Sequence, residues 1–423
     1  MSWNQEKISD VAIIGDGAHA SIKRVKTGVP YLTSKNFKAD GLDLTKLDFI
    51  SESDYQKHFK EKSKALTKQQ EDDLVVGIIG TLGAPYLVRK TDHFGLSSSV
   101  AILRPDKEKI LPKYLLYWMR SPIFQNSINQ IKSGVAQSFL SLGMIGSLPV
   151  NYPQSLDIQQ RIAGILSAYD DLIETNLKRI KLLEEMAQIT YEEWFVRLRF
   201  PNHESTPINP ETALPEGWKK KENGDCCEVS GGGTPSREVP KYWECGDIKW
   251  FSPTDLTKSN SLCLLDSSDK ITELGLKKSS AKIMGSHTFM MTSRATIGLF
   301  GLIDAGYSTN QGFINVTPLK ATHKYYLLFN FKYRVDEFIG HATGATFPEI
   351  SKSKFKKLKI VWPSENLISD FDRYCSPIIS EMMNLAKQNI RLREARDILM
   401  PRLMTGVIDV ESYHPALLLK EAA

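Results

Sequence analysis

TGATFPEISKSKFKKLKIVWP, residues 343–363, has an earlier relative in the same chain, SGVAQSFLSLGMIGSLPVNYP, residues 133–153. At one constant offset the copies align Gly134 with Gly344, Ser141 with Ser351, Leu148 with Leu358, and Pro153 with Pro363. The later copy is typical of a lysine-rich strand behind a glycine-containing turn. Because the shared residues recur while the residues between them differ, the pattern predicts one junction geometry that is used twice.

The repetition extends over both halves of the chain in the same order. Trp3 resembles Trp218, GVPYLTSKNF (28–37) resembles GDIKWFSPTDL (246–256), LVVGIIGTLGAPYLV (74–88) resembles FMMTSRATIGLFGLI (289–303) through Gly83 and Gly298, and KYLLYW (113–118) resembles KYYLLF (324–329). Ordered matches of this kind indicate an internal duplication. Both halves contain short runs of Val, Ile, Phe and Tyr broken by Gly, Pro, Asn and Asp, which predicts mostly antiparallel strands with some helix.

Each half ends in a long amphipathic stretch. Residues 154–200 contain no proline, and their apolar residues recur at spacings of three and four, which predicts a helix of roughly 60 Å. The apolar positions are Ile162, Leu166, Tyr169, Ile173, Ile180, Leu183, Ala187 and Trp194 in the first stretch, and Phe371, Cys375, Ile378, Met382, Leu385, Leu392, Leu399 and Leu403 in the second. We expect Pro377 to kink the second helix or to mark its first turn, and Pro401 to disturb its end.

An asparagine lies in each apolar stripe, Asn176 in the first and Asn389 in the second. A buried asparagine can fix the register of an intramolecular coiled coil at some cost in stability. A wide apolar face that carries a partly exposed polar residue would give the same pattern. The sequence leaves both interpretations open.

The composition narrows the class of protein. At 423 residues, with 41% hydrophobic and 24% charged residues, the chain is long enough for two or more globular domains. No apolar run reaches the roughly 18 residues of a membrane span, and the N-terminus lacks a signal-peptide pattern, so we expect a cytoplasmic protein without membrane contact. The five cysteines form no CxxC pair, which favours reduced thiols over a zinc site.

The familiar motifs of catalysis and nucleotide binding are missing. VAIIGDGAHA (11–20) has the spacing of a dinucleotide-binding turn, but Gly28 and Pro30 interrupt the helix that the pyrophosphate would need. The sequence has no Gly-Lys dipeptide for a Walker A loop, no H-E-x-x-H, and no histidine pair with metal-ligand spacing. We therefore expect no catalytic residue, no metal and no cofactor on this chain.

Several loops instead carry polar side chains suited to reading nucleic acid. Arginine can pair with guanine and asparagine or glutamine with adenine, while serine, threonine and lysine anchor phosphates. The candidate DNA-binding residues are Lys23, Arg24, Lys35, Asn36 and Thr81 in the first half, and Thr234, Ser236, Arg237, Lys249, Ser252, Thr254, Ser293, Arg294, Thr296, Asn310 and Gln311 in the second. Ordinary turn chemistry explains any one of these residues, whereas the repeated set favours a recognition surface.

The sequence resembles the specificity subunits of type I restriction–modification enzymes over essentially its whole length. The resemblance rests on GGGTPS (231–236), Trp250–Asp255, RATIG (294–298), NQGF (310–313), the repeated junction and the paired long helices. In the first half GDGAHAS replaces the Gly-Thr-Pro turn, and GIIGTLG lacks the arginine.

The resemblance implies an α+β fold of two similar mixed α/β target-recognition domains, each followed by a long helix, with the two helices packed as an antiparallel coiled coil. The expected boundaries are residues 1–153 and 215–363 for the domains, 154–199 and 364–412 for the helices, 200–214 for a linker and 413–423 for a tail. Each domain would read one half of a bipartite, asymmetric site in double-stranded DNA.

The resemblance also implies the partners. The helices would space the domains and dock two methyltransferase subunits, and motor/nuclease subunits would join the full complex. S-adenosylmethionine, ATP and Mg would be bound by those partners and not by this chain. Two other classes stay open on sequence grounds: a stand-alone DNA-modifying enzyme with an unrecognised active site, and a protein- or RNA-binding module.

Overall fold

A computed structural model of the chain describes residues 2–38, 41–61, 66–133, 139–259, 261–304, 306–344 and 346–411. These residues form two compact units, one built from Met1–Leu172 with Leu392–Ala423 and the other from Ile173–Arg391. Gly134 of the repeated junction and the expected tail at 413–423 lie outside the described residues.

The first unit combines short strands with short helices. Its strands are β1 (Trp3–Lys7), β2 (Ala12–Asp16), β3 (Val29–Leu32), β4 (Phe37–Lys38), β5 (Gly41–Leu42), β6 (Asp48–Ile50), β7 (Leu74–Gly77), β8 (Pro85–Leu87), β9 (Gly95–Leu96), β10 (Val100–Pro105) and β11 (Pro149–Pro153). Its helices are α1 (Ile8–Val11), α2 (Glu52–His58), α3 (Pro112–Arg120), α4 (Pro122–Ser133) and α5 (Leu142–Ser147).

The sheets of the first unit are mostly antiparallel, as the alternation of short apolar runs and turn residues predicted. Strands β2-β10-β7-β8 form one sheet, β6-β3-β9 form a second in which β3 and β9 run parallel, and β1 pairs with β11 and β4 with β5. The central strand β10 is almost entirely buried, and Tyr114 and Trp118 of α3 lie in the same core cluster as Leu103 of β10. This core therefore packs a helix against the sheet.

A long helix, α6 (Leu156–Tyr191), follows β11, and a π-helical turn, Glu192–Val196, extends it. Its 36 residues correspond to roughly 54 Å. This length is close to the one predicted from the run without proline.

The second unit repeats the architecture of the first. Its strands are β12 (Lys219–Glu222), β13 (Cys227–Ser230), β14 (Ile248–Phe251), β15 (Asp269–Ile271), β16 (Phe289–Thr292), β17 (Phe300–Gly301), β18 (Ser308–Thr309), β19 (Phe313–Pro318) and β20 (Lys359–Trp362). Its short helices are α7 (Pro253–Ser259), α8 (Glu273–Lys277), α9 (Lys324–Tyr333), α10 (Val335–Gly340) and α11 (Lys352–Lys357), and the second long helix is α12 (Glu365–Met404).

The strand order of the two units matches strand for strand. The sheets β13-β19-β16-β17, β15-β14-β18 and β12-β20 correspond to β2-β10-β7-β8, β6-β3-β9 and β1-β11, and the parallel pairing of β14 with β18 corresponds to that of β3 with β9. The duplication inferred from the sequence is confirmed. Among the described residues, the β4-β5 hairpin has no counterpart in the second unit.

The repeated junction has one geometry, but it is not a lysine-rich strand. The Ser351 hydroxyl accepts a hydrogen bond from the Lys354 backbone N–H at 3.2 Å and begins the helix α11, and Ser141 begins α5 in the same way. Phe355 is the buried residue of α11, and the strand starts only at Lys359. The expectation of a strand was wrong because a serine N-cap and a buried aromatic favour a helical turn there.

The prolines of α12 do not bound the helix. The helix begins at Glu365, so the expectation that Pro377 marks the first turn was wrong, and it continues through Pro401 to Met404. An internal proline removes one backbone hydrogen bond. Phe371, Cys375 and Ile378, which flank Pro377 in the helix, are buried.

The long helices pack against each other with opposite directions. In the second unit the Thr190 hydroxyl lies 3.1 Å from the Tyr374 hydroxyl, and the Asn176 Nδ2 donates to Asn389 Oδ1 at 3.0 Å. Residue numbers rise along one helix as they fall along the other, so the predicted antiparallel packing is confirmed. Asn176 is 1% and Asn389 2% exposed. The interpretation of a partly exposed asparagine is therefore excluded.

Candidate nucleic-acid interface

The loops that follow three strands of the second unit are brought to one place. Strands β14 and β18 run parallel with Phe251 opposite Thr309, and the Asn310 N–H donates to the Phe251 carbonyl at 2.9 Å. Beyond the end of β16, the Ser293 N–H donates to the Gly312 carbonyl at 2.9 Å. Because these bonds join the chain just after each strand, segments distant in sequence share one edge of the unit.

These loops form an open groove of about 510 Å³. It is lined by Ser252, Pro253, Thr254, Thr257, Arg294, Ala295, Thr296, Asn310, Gln311, Gly312 and Phe347. Candidates from three separate segments thus meet here: Ser252 with Thr254, Arg294 with Thr296, and Asn310 with Gln311. Thr234 joins them from a fourth segment, since its hydroxyl donates to Gln311 Oε1 at 2.6 Å.

A buried carboxylate holds the first segment. Asp255 is 8% exposed, and its Oδ2 accepts from the backbone N–H and the hydroxyl of Ser252 at 2.7 and 2.8 Å. Its Oδ1 accepts from the Ser268 N–H at 2.9 Å. Burial raises the pKa of Asp255, but the hydrogen bonds from Ser268 and Ser252 outweigh burial and leave the pKa below its usual value. The loop that presents Ser252 and Thr254 is therefore held by a charged anchor.

A tight turn presents the arginine. The Gly298 N–H donates to the Thr292 carbonyl at 3.0 Å, and the Leu299 N–H donates to the Thr292 hydroxyl at 2.9 Å. Gly298 has a φ of +89°, and a Cβ there would lie 2.4 Å from Val335 Cγ1. Only glycine fits this position, so the turn that carries Arg294 depends on it.

Arg294 is the exposed charge of the groove. Its Nε lies 3.9 Å from Glu349 Oε2, and both side chains are about half exposed. An exposed ion pair at this distance is worth only about 0–1 kcal/mol. The guanidinium can therefore exchange this partner for a ligand that offers paired acceptors.

Other candidates of the second unit lie outside the groove. Ser293 is 2% exposed. Lys249 Nζ donates to the Leu265 carbonyl. Arg237 stacks on Trp243 at 3.5 Å from the ring centroid and pairs with Asp269 at 2.5 Å. Ser236 is exposed, and its hydroxyl accepts from the Glu238 N–H at 3.3 Å.

The first unit has the same frame with different side chains. Asn36 Oδ1 accepts from the Thr33 N–H at 2.9 Å, as Asp255 accepts from Ser252. Asn36 is 8% exposed and also donates to the Asp43 carbonyl at 3.0 Å, so its amide holds the loop. Lys35 is exposed at the position of Thr254, and Thr81 is half-buried at the position of Thr296.

The two remaining candidates of the first unit lie before β3. Lys23 is exposed. Arg24 lies over the ring of Tyr31 at 4.0 Å from its centroid, and its Nε pairs with Asp48 Oδ2 at 3.3 Å. An arginine with a stacking partner and an acidic partner is oriented by the fold.

Sequence reasoning missed several residues at these positions. Phe347 lines the groove and is 58% exposed. In the first unit Ile79 and Phe139 are exposed, at 43% and 44%, beside the corresponding loops. The signal for Ile79 was present, because aligning GIIGTLG with SRATIG through Gly83 and Gly298 places it at the arginine.

The described residues hold no cluster of three or more His, Cys, Asp or Glu side chains that could bind a metal ion. Cys226, Cys227, Cys263 and Cys375 are each buried and reduced, while Cys245 is exposed. Burial raises the pKa of Cys226 to about 11 and those of Cys227 and Cys263 to about 12. None of the helices in the described ranges has the length and apolarity to cross a membrane.

A sequence profile for the type I restriction modification DNA specificity domain matches residues 2–185 and again 215–368. The chain belongs to this family. The two matches contain the two repeated sheet systems, so each copy is one specificity domain. Proteins of this family recognise DNA and are not catalysts, and the chain is accordingly a DNA-recognition subunit and not an enzyme.

Individual relatives match this chain over three quarters of its length or more. The type I restriction enzyme MjaIX specificity subunit of Methanocaldococcus jannaschii is 26% identical, and the alignment covers 97% of this chain and 94% of the relative. The HindI specificity subunit of Haemophilus influenzae is 22% identical over 75% and 82% of the two chains. The S subunit of a type I restriction–modification system from M. genitalium shares the fold, with a TM-score of 0.53, 13% identity and coverage of 95% and 96%.

Proposed function

We propose that this specificity subunit reads a bipartite, asymmetric DNA sequence for a type I restriction–modification complex, with one half-site read by each unit. One observation carries the proposal: polar side chains from separate segments converge in one groove, on a frame that occurs twice with different residues. A duplicated frame with different reading residues recognises two different sequences. The reading domains are residues 1–153 and 215–363.

The groove of the second unit suits direct readout in the major groove. We propose that Arg294 pairs with guanine O6 and N7, and Asn310 or Gln311 with adenine N6 and N7. Ser252 and Thr254 are suited to phosphate oxygens. In the first unit Lys23, Arg24, Lys35 and Thr81 are the corresponding candidates.

The exposed lysines of α11 are proposed to contact the phosphates of the DNA backbone. Lys352, Lys354, Lys356 and Lys357 are all exposed. Lys352 lies over the glycine-rich loop, since a Cβ on Gly231 would come within 2.7 Å of its Nζ. That loop leads to Thr234 at the groove. Exposed lysines beside a base-reading groove supply sequence-independent phosphate contacts.

The long helices, residues 154–199 and 364–412, are proposed to set the spacing of the half-sites and to dock two methyltransferase subunits. The buried asparagine pair supports a fixed register. An apolar face of α6 supports docking: Leu182, Met186 and Ile189 are 64%, 42% and 56% exposed and recur at helical spacing. A partner subunit would bury the apolar area that these three side chains leave exposed.

Catalysis would reside on the partners. We propose that methyltransferase subunits bring S-adenosylmethionine and that motor/nuclease subunits of the full complex bring ATP and Mg, in the cytoplasm. The missing nucleotide-binding motifs of the sequence support this division of labour.

The first test is selection of DNA by the chain reconstituted with its methyltransferase subunits. A random duplex pool should yield one sequence with two specified halves and an unspecified spacer. Arg294→Ala should relax specificity at one position of one half only, at a cost of about 1–3 kcal/mol for the lost bidentate pair. Arg373→Ala removes an exposed arginine of α12 outside the groove and serves as the control. If the complex enriches no sequence, the recognition proposal fails.

The second test addresses docking. Leu182→Glu should weaken binding of the methyltransferase subunit in pull-down or analytical ultracentrifugation. Leu177→Glu is the matched control, because Leu177 is 48% exposed and lies about 140° around the helix from Leu182. Equal loss of binding in both variants would contradict a docking face at Leu182.

A further inference from the structure

Ile79 occupies in the first unit the place that Arg294 occupies in the second. The Ile78 N–H donates to the Ser99 carbonyl at 2.8 Å, as the Ser293 N–H donates to Gly312. The Gly83 N–H closes the same turn onto Gly77 at 3.2 Å, and the φ of Gly83 is +84° against +89° for Gly298. The two backbones are therefore equivalent residue by residue.

The neighbour of each residue is equivalent as well. Ile79 forms an isolated bridge with Phe139, and Arg294 forms one with Glu349. An exposed ion pair in the second unit is thus replaced by a pair of apolar side chains in the first. Since the backbone is the same in both units, the two units differ here only in the side chains that they expose.

The apolar pair does not serve the core. Ile78 is 2% exposed and Leu140 is fully buried, and these residues supply the inward side chains of the two bridged segments. Backbone alternation directs Ile79 and Phe139 outward, where they are 43% and 44% exposed. The Ser34 hydroxyl donates to the Ile79 carbonyl and holds this backbone in place.

The surroundings of the pair are polar. Thr81 lies two residues beyond Ile79, and Ser97 and Ser98 follow β9 at the positions that Asn310 and Gln311 have after β18. Two exposed apolar side chains surrounded by hydroxyl groups are typical of a ligand-binding surface. A patch of core that is merely uncovered would have apolar neighbours. What it can read is limited, because neither side chain can donate or accept a hydrogen bond.

We propose that Ile79 and Phe139 contact the 5-methyl group of a thymine in the half-site read by the first unit. This inference rests on the proposed function of the two grooves. In the major groove, the donor and acceptor groups of all base pairs are polar, and the thymine methyl is the one apolar feature. The place that selects guanine through Arg294 in one half-site selects an A·T pair in the other.

The test uses the reconstituted complex and its selected duplex. Each thymine of the first unit's half-site is replaced singly by deoxyuridine, which removes only the methyl group. At one position the substitution should weaken binding about 3- to 10-fold, as expected from burying one methyl group and its neighbourhood. The variant Ile79→Ala/Phe139→Ala should bind thymine and deoxyuridine equally at that position. Thymines of the other half-site should respond identically in both proteins.

A second variant tests the inference by a change of the selected base and not by a loss of binding. Ile79→Arg/Phe139→Glu places the pair of the second unit in the first, and selection should shift that position from thymine toward guanine. A half-site without any methyl-sensitive thymine in the wild-type complex would overturn the inference. Because the wild-type complex would still select two half-sites in that case, this outcome is distinct from failure of the proposed function, in which no sequence is selected at all.

Discussion

The buried asparagine pair between the long helices makes a quantitative prediction. Asn176 Nδ2 donates to Asn389 Oδ1 at 3.0 Å, and Asn389 Nδ2 lies 3.5 Å from the Ile173 carbonyl. Replacing only Asn176 with leucine leaves a buried amide oxygen without its donor, at a cost of about 1–3 kcal/mol. The burial of leucine offsets part of this cost, so each single variant should be destabilised by roughly 0–2 kcal/mol.

The double variant Asn176→Leu/Asn389→Leu should be more stable than the singles predict. Removing both partners leaves no unsatisfied group, so the free energies of unfolding should not add, and the coupling energy should be about 1–3 kcal/mol. Urea unfolding followed by circular dichroism at 222 nm measures it. We also expect the double variant to accept more than one spacer length in DNA selection, since it lacks the pair proposed to fix the register of the helices.

Arg179 and Glu381 provide the control cycle on the same helices. This pair is exposed and separated by 3.1 Å, and its coupling should not exceed about 1 kcal/mol. If the asparagine coupling is no larger than that of the surface pair, the reasoning from burial is refuted.

Three further predictions concern single residues. Native protein should expose one fast-reacting thiol to a disulfide reagent, Cys245, and all five cysteines should react after denaturation. The hydrogen bond from Lys320 Nζ, with those from His323 and Trp362, lowers the pKa of Glu365 to about 2. The ionised carboxylate of Glu365 therefore stabilises the fold above its unfolded pKa of about 4.3. This contribution is lost as the pH falls from there toward the folded pKa. In Glu365→Gln the unfolding midpoint should therefore fall less steeply with decreasing pH over this range. Ser351→Ala should cost about 1 kcal/mol in urea unfolding, because the N-cap of α11 is lost.

Each of these predictions has an internal control. Cys245→Ser should abolish the fast thiol reaction, and a fast reaction that persists would show another cysteine to be accessible. The difference between Glu365→Gln and wild type should vanish at low pH, where both side chains are neutral. Ser353 lies within α11 and is not its N-cap, so Ser353→Ala should leave the unfolding midpoint almost unchanged. An equal loss of stability in both serine variants would contradict the role of the cap.

Much of the fold was predictable because short sequence patterns determine its turns and helices. The repeat of serine, leucine and proline at the junctions, the glycines at 83 and 298, and the long runs without turn residues all report conformations of short segments. The order of these signals was sufficient to infer two similar domains and two long helices. The error at the junction had a local cause as well, since a six-residue lysine-rich helix resembles a strand when its cap is overlooked.

The composition of the candidate DNA-reading surface was predictable only in part. Sequence alone named the residue types that could contact DNA, and it marked the missing arginine of GIIGTLG. It could not separate Arg294, exposed in the groove, from Ser293, which is its direct neighbour and is buried. Alternation along a backbone decides between such neighbours, and its phase depends on which face of the sheet meets the core.

The sequence by itself determined the duplication, the helical stretches and the set of polar loops, because these depend on residues close together in the chain. Only the tertiary structure decided which loops meet. Ser252 and Asn310 are brought together by the parallel pairing of β14 with β18, and Asn176 and Asn389 by the packing of two helices. Ile79 already aligns with Arg294 through Gly83 and Gly298, but only the structure pairs it with Phe139. Such contacts join residues far apart in sequence, and no local pattern records them.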